Sequence, residues 1–449
     1  MKNTKRTVTS FFDKEYLEYA RYVVENRAIP SCIDGLKPTQ RKVVYIANKI
    51  WKTGNEKPMK LFQLAGRVAS DAFYHHGNTS LESSMVGMGQ KFKNSLPLLE
   101  GIGQFGSLRS PAAGAPRYIS AKLHPNFRLL YQDFDLLENK IEEGEKIEPA
   151  FFLPIVPTVI LNGSSGIAVG FATNILNRNP KDVVESCISV LSNKKIKTLS
   201  PWINEFIGTF TRDLENPKTW KIHGKYEIVN TTTVKITSIP PNYTYERYEE
   251  ILNLLMEKDV IVSYDDNSSE TIEYILKFKR SILNDLVSKD KLVSALRLST
   301  QETENLTTID ENGELKIFDR AEDIVTHFVG VRLKWYQVRK DYLIDKTEKQ
   351  LSLVTNKARF IKDIITSKLK INNVAKEIIV EYLTANKYDT VHGSYDYLLS
   401  MAIHSLTKER YEKLLQEKAN CIIELETLKK TDPKEMYMTD LKKLKSSIK

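Results

Sequence analysis

Three cysteines in 449 residues, Cys32, Cys187 and Cys421, are few, far apart and odd in number. That excludes a disulfide framework and a cysteine-based zinc site, and it fits a reducing cytoplasm. No apolar run reaches the ~18 residues that a membrane span needs, and the opening MKNTKRTVTS leads into no signal-peptide apolar core. No Gly-Lys-Ser/Thr phosphate loop occurs, so ATP hydrolysis within this chain is not expected, and there is no helical zinc-protease motif. Gly101-Ile-Gly103-Gln-Phe-Gly106 spells the dinucleotide fingerprint, but that fingerprint needs a strand before it and a helix after it. Here Pro97 precedes and Ser107-Leu-Arg-Ser-Pro111 follows, so the glycines read as a loop. His75-His76 has no accompanying carboxylate cluster and reads as a polar turn, not a metal pair.

Hydrophobic residues make up 41%, enough for a packed core, and the length suggests two to four domains. The formal net charge is +9, from 66 Lys+Arg against 57 Asp+Glu. Residues 1–130 hold 20 Lys+Arg and 9 Asp+Glu, so the whole positive excess lies in that segment and the remainder is slightly acidic. A local excess of this size points to a polyanion, nucleic acid above all.

The apolar spacing of Tyr16, Leu17, Ala20, Val23 and Val24 predicts a helix over 14–26, ended by Pro30 and the Asp34-Gly35 turn. Pro38 opens a second helix to Lys49, carrying Arg41 and Lys42. A third, near 61–74, spaces Leu64, Val68 and Ala72 four apart, and His75-His76-Gly77-Asn78 breaks it. Thr79 with Glu82 predicts a capped fourth helix to about Lys91. Helix, glycine turn, capped helix is a helix-turn-helix pattern, which in a basic segment suits a DNA groove. Residues 155–175 are apolar with a Gly/Ser turn. Residues 205–330 read as mixed α/β, with alternating strands at Lys225 and Val234, the latter stopped by Pro240-Pro241. Long helices follow over 331–369 and about 407–429, the second ended by Pro433. Their separation suggests an antiparallel coiled coil closed by a helical knob at about 370–406.

Tyr118 follows Arg117 in a glycine-rich stretch, Gly114-Ala-Pro-Arg-Tyr-Ile. A phenol is protonated at neutral pH and attacks phosphorus only if its proton is removed and the developing charge is stabilised. An adjacent guanidinium supplies that charge in a fork matched to phosphate oxygens.

Taken in order, Asn26-Arg-Ala-Ile-Pro30, Asp34-Gly-Leu-Lys-Pro38, Tyr74-His-His-Gly77, Gly103-Gln-Phe-Gly-Ser107, Arg117-Tyr118 and Asn162-Gly-Ser-Ser-Gly166-Ile-Ala-Val-Gly170 resemble the motif series of the DNA breakage-reunion subunit of type IIA topoisomerases, shared by gyrase and topoisomerase IV. The resemblance covers nearly the whole chain, and the stop soon after the coiled coil is most similar to the bacteriophage branch. It implies a multidomain α+β fold. The parts would be an N-terminal helical arm at 1–30, a winged-helix cleavage domain at 31–150, a mixed α/β tower at 151–330, a coiled coil with its dimerisation knob at 331–430, and a short tail at 431–449.

The resemblance also implies that Tyr118 is the nucleophile, leaving a 3′-hydroxyl and joining the DNA 5′ end, with two such tyrosines in a homodimer. Arg117 matches the group that stabilises the transition-state charge, and Arg27 matches a second arginine near the phosphate. Lys37 and His76 match DNA contacts, and Ile175, within Ala172-Thr-Asn-Ile175, matches the wedge that bends the duplex. His75, Arg41 and Lys42 join the expected DNA-binding set. The Glu and Asp-x-Asp carboxylates for Mg²⁺ and the ATPase motif are not in this chain, so both cofactors would be bound mainly by a large, B-type partner subunit. Relaxation and decatenation would be favoured over supercoiling, because no wrapping propeller follows. Thr79 and Ser83 stand where bacterial relatives anchor a quinolone-bound metal through a serine and an acidic residue, which implies weak quinolone sensitivity. Two other readings remain open: a non-enzymatic helix-turn-helix DNA binder with a coiled-coil arm, and a tyrosine recombinase forming a 3′ link.

Overall fold

The computed structural model describes residues 12–448 except 55 and 270, in two compact units. One runs to Arg332 and takes in the segment from Met438 onward; the other is Leu333–Tyr437.

In the first unit a helix built of a π turn (Phe12–Tyr16), an α segment (Leu17–Val23) and a second π turn (Val24–Ala28) docks only by its end. Val23, Val24, Ala28 and Ile29 pack on Ala168, Ile309 and Leu315. Tyr16 and Leu17, expected on the same buried stripe, are exposed, because nothing among the described residues covers the earlier turns. The second helix is Pro38–Ile50, with proline in the first turn, where a missing N–H costs nothing. It buries Val43, Val44, Ile46 and Ala47. The third, Leu61–Asp71, stops before Phe73, which turns the chain at φ 50°. The fourth, Asn78–Gly89, starts ahead of the expected cap: Gly77 takes the extended cap conformation, Thr79 lies inside the first turn, and no side chain caps the helix.

Three short antiparallel strands lie beside these helices, in the order Met59–Lys60, Ser120–Leu123, Leu99–Ile102. Ala121 pairs with both Met59 and Gly101, so the middle strand holds the residues just before it, Arg117 and Tyr118, at the sheet's end. The glycines of the rejected fingerprint begin in the Leu99–Ile102 strand and run on into a loop with no helix after it.

A hairpin, Ser164–Ile167 with Ala172–Ile175, occupies the apolar stretch with its Gly/Ser turn. Beyond it a four-stranded antiparallel sheet has the order Lys225–Asn230, Thr233–Ser238, Tyr274–Lys277, Ser263–Asp266. It packs Val234, Ile236, Tyr274 and Leu276 against Tyr248 and Leu252 of the Tyr245–Glu257 helix. The long helix begins at Ala321, ten residues before the expected start, and ends at Ile365. The second long helix stops at Lys430, just ahead of Pro433, as expected, but Pro433 is not followed by an irregular tail. It opens another helix, Pro433–Ser447, whose Tyr437, Leu441 and Leu444 are buried, so the expected tail is an ordered element.

In the second unit the long helix faces Lys408–Lys430. Val354, Ala358 and Ile361 share a core with Leu414, while Lys340 donates to the Lys429 carbonyl (3.1 Å), so the two run antiparallel. Between them, Lys376–Ala385, Asp396–Leu399 and a 3₁₀ turn enclose a small core of Phe360, Leu369, Ile379, Leu383, Tyr388 and Leu398. Among the described residues no helix is long and apolar enough to cross a membrane.

Candidate nucleic-acid interface

Tyr118 ends a tight turn in which its N–H donates to the Ala115 carbonyl (2.9 Å). Lys60, in the neighbouring strand, donates from Nζ to the Tyr118 carbonyl (2.9 Å), so the backbone is held from the sheet side. The side chain is free to project outward: Tyr118 is 74% exposed. Large aromatic side chains are normally buried or half-buried, so an outward tyrosine on a pinned backbone is a presented group. Arg117 beside it is exposed and makes no hydrogen bond or ion pair among the described residues.

A second cluster forms around the Asp34-Gly35 turn. The Asp34 carboxylate accepts from Arg41 Nε (2.6 Å) and Nη2 (3.0 Å), and from the backbone N–H of Leu36 and Phe152 (3.0 Å each). Its carbonyl accepts from the Tyr131 hydroxyl (2.8 Å) and the Thr158 hydroxyl (2.6 Å). Gly35 sits at φ 66°, where a Cβ would meet the Val159 nitrogen at 2.5 Å. Both the left-handed backbone and the close approach require glycine. This buried post aims Lys37 and the start of the Pro38–Ile50 helix.

Lys37 Nζ donates to the Ser165 carbonyl in the hairpin (2.6 Å), and burial pushes its ammonium pKa down. Gly166 lies against the Ala28 carbonyl, and a Cβ there would be 2.9 Å from Lys37 Nζ. Glycine thus lets the hairpin backbone close onto the end of the first helix. Arg27, next to Ala28, is exposed and without an internal partner among the described residues. Arg27, Lys37 and the hairpin are therefore brought together. No hydrogen bond or ion pair among the described residues joins them to the Arg117–Tyr118 turn.

The histidines are both exposed. His76 Nε2 pairs with the Tyr22 hydroxyl (2.9 Å), and His75 Nε2 with Glu142 (3.2 Å).

Three expected DNA contacts stand differently. Arg41 is 5% exposed and committed to Asp34, so it builds the post and does not face a ligand. Lys42 is half-buried, donating to the Ala72 carbonyl (2.5 Å) and pairing with Glu148 (3.3 Å) and Glu142 (3.6 Å). Ile175 is 3% exposed, in the strand opposite Ser164, and is a core residue. The same hairpin presents a different isoleucine: Ile167 is 88% exposed at its turn. The sequence does not tell the two apart, because an isoleucine in an apolar run gives no sign of which face it occupies. The signal was the alternation from Ser164, which sends neighbouring residues to opposite faces of the hairpin.

Among the described residues one group of His, Cys, Asp and Glu brings three donors together, Cys32, Glu311 and His327, within 4.8 Å of one another. Thiol, imidazole and a single carboxylate do not suit Mg²⁺, which requires oxygen donors. Burial and the nearby carboxylates of Glu311 and Asp310 push the Cys32 thiol up to about 12.

The family model for the A-type subunit of DNA gyrase/topoisomerase IV matches residues 27–445. The DNA topoisomerase medium subunit of Enterobacteria phage T4 is 35% identical over 449 residues, covering 99% of this chain and 100% of that protein. The mitochondrial DNA topoisomerase 2 of Dictyostelium discoideum is 34% identical, covering 98% of this chain and 35% of its own length. This chain thus spans about a third of that longer relative. The crystal structure of the Plasmodium falciparum topoisomerase II DNA-binding, cleavage and re-ligation domain superposes with a TM-score of 0.87 at 33% identity, covering 98% of this chain and 64% of that one.

Proposed function

The chain belongs to the A-type subunit family of DNA gyrase and topoisomerase IV, as the DNA cleavage-religation subunit of a type II topoisomerase, and from that premise we infer that Tyr118 is its nucleophile. The observation that carries this reading is the exposed Tyr118 on a pinned backbone, beside an Arg117 with no partner among the described residues. The Tyr118 oxygen attacks a backbone phosphorus and loses its proton. The bond to the 3′ oxygen breaks, leaving a 3′-hydroxyl, and the 5′ phosphate stays on the tyrosine. The link keeps the phosphodiester energy, so the reverse attack reseals the strand. Arg117 offsets the charge that builds on the non-bridging oxygens, which is electrostatic stabilisation of the transition state. Arg27, Lys37 and His76 grip the adjacent backbone.

We assign the wedge to Ile167 in place of Ile175. An apolar side chain held out by a hairpin beside two cations suits insertion between base pairs, which unstacks a step and kinks the duplex. The three-stranded sheet with its helices serves as a winged-helix platform, the 151–330 region as the tower, and the antiparallel helices of the second unit as a coiled coil. The helical knob at about 370–406 is the homodimer contact.

Type II topoisomerases are dependent on ATP and Mg²⁺. Among the described residues the one clustered donor set, Cys32, Glu311 and His327, does not suit Mg²⁺, and we place both cofactors mainly on a B-type partner subunit. The phage relative favours action in a host cytoplasm.

One experiment tests the reading. The chain, its partner subunit, Mg²⁺ and end-labelled duplex are mixed and rapidly denatured. Protein on 5′ ends that disappears in Tyr118→Phe is expected. Protein on 3′ ends would indicate a recombinase, and none at all a DNA binder without chemistry.

A further inference from the structure

The nucleophile turn is reached through a long loop, 103–117, between the Leu99–Ile102 strand and Tyr118. The platform holds this loop near both its ends: Gln90 Nε2 donates to the carbonyls of Phe105 (2.8 Å) and Pro111 (3.0 Å), and the Phe62 N–H donates to the carbonyl of Pro116 (3.4 Å). A different body holds it in between. Arg109, 7% exposed, donates from Nη1 to the carbonyls of Pro240 (2.7 Å) and Tyr243 (3.0 Å), and from Nη2 to that of Ile239 (2.6 Å). The Tyr245 N–H returns a bond to the Arg109 carbonyl (3.1 Å).

All four bonds end on residues 239–245, which join the Thr233–Ser238 strand to the Tyr245–Glu257 helix of the four-stranded sheet. Pro240 and Pro241 fix φ within that segment, which limits the freedom of the carbonyls that Arg109 holds. Among the described residues no carboxylate hydrogen-bonds the guanidinium, and burial pushes it down to about 10. A buried cation satisfied only by backbone carbonyls is costly unless its geometry is nearly ideal. Surface attachment of a loop does not need such a group.

We propose that Arg109 is a positioning residue. Its fork fixes the loop carrying Arg117 and Tyr118 to the 225–298 sheet body, so that this body sets where Tyr118 meets the phosphate. The fork is what matters: a lysine ammonium is a single point charge on a flexible stem and cannot reproduce donation from two rigidly spaced nitrogens to three carbonyls. Misplacing a nucleophile by about 1 Å can cost ~100-fold in rate. Cleavage and resealing pass through the same transition state, so an error in position slows both by one factor and leaves their ratio unchanged.

The proposal rests on Tyr118 as nucleophile, and the test separates the two. Single-turnover cleavage and resealing of a labelled duplex are measured for the full chain with its partner subunit, in wild type, Arg109→Lys, Arg109→Gln and Tyr118→Phe. DNA affinity and thermal midpoint are measured alongside. The expected result is that Arg109→Lys and Arg109→Gln bind DNA within about two-fold of wild type but cleave and reseal more slowly, by the same factor, between roughly 10 and 100. The equilibrium share of cleaved DNA stays constant. Wild-type rates in a folded Arg109→Gln overturn the proposal, as does a loss of rate that only tracks loss of DNA binding. Should Arg109→Lys fail to fold, Arg109→Gln, which retains two donors, decides. Covalent linkage that survives Tyr118→Phe overturns the underlying reading instead.

Discussion

Lys60 Nζ donates a 2.9 Å hydrogen bond to the carbonyl oxygen of Tyr118, so the residue that presents the phenol is tied by its backbone, not its side chain, to the strand beside it. Lys60 is exposed, and losing one surface bond changes stability by about 0.5 kcal/mol or less. Position is more sensitive than stability. Lys60→Met is expected to keep the wild-type unfolding midpoint while slowing single-turnover cleavage by about 3–10-fold; unchanged cleavage would remove the tether from the mechanism.

Ile167 and Ile175 lie on one hairpin with opposite fates. Ile175→Ala opens a cavity and should cost about 2–5 kcal/mol in denaturant unfolding. Ile167→Ala should cost nothing measurable there, yet reduce DNA bending followed by end-to-end energy transfer. A stable Ile175→Ala, or an Ile167→Ala that bends DNA normally, contradicts the assignment.

Arg41 and Asp34 form a buried pair, and removing one partner leaves the other's charge uncompensated. Arg41→Ala is expected to destabilise the chain by about 3–5 kcal/mol. The loss should appear in unfolding of the free protein, before any DNA is added.

Among the described residues Arg27 and Arg117 are exposed and make no hydrogen bond or ion pair, so each neutralises a phosphate only in the complex. Alanine at either should lower the slope of log affinity against log salt by about 0.9. Alanine at Lys42, which already faces Glu148, should alter that slope much less.

Cys32 has a thiol raised from its ordinary value of 9.0 to about 12. Because the folded value lies above the unfolded one, its stabilisation is complete below the unfolded value and is lost as pH rises towards the folded one. Stability should therefore fall across that alkaline window, by at most about 1.4 kcal/mol per pH unit from this group. Cys32→Ala should flatten that part of the profile. At neutral pH the native protein should leave Cys32 unalkylated while the partly exposed Cys421 reacts.

Much of the platform was legible because its signals are local. Proline at 38, the four-residue apolar spacing from Leu64, and the alternation at Lys225 and Val234 each fix a helix or strand within a few residues. Helix limits were misread where a single backbone conformation decided them, Gly77 as cap and Phe73 at positive φ, and the helix that Pro433 opens was not foreseen. A proline signals a boundary without saying which side of it is helical.

The sequence by itself determined the chemistry: a basic first segment, a tyrosine beside an arginine in a glycine-rich loop, and motifs in a family's order. Those are matters of residue identity and spacing along the chain. Only the tertiary structure decided which cations are available and which apolar residue faces outward. Arg27 and Arg117 remain open while Arg41 and Lys42 are taken by Asp34, Glu142 and Glu148, acids 7 to 106 residues away. Charge pairing and burial depend on distance in space, which neighbours in sequence do not report.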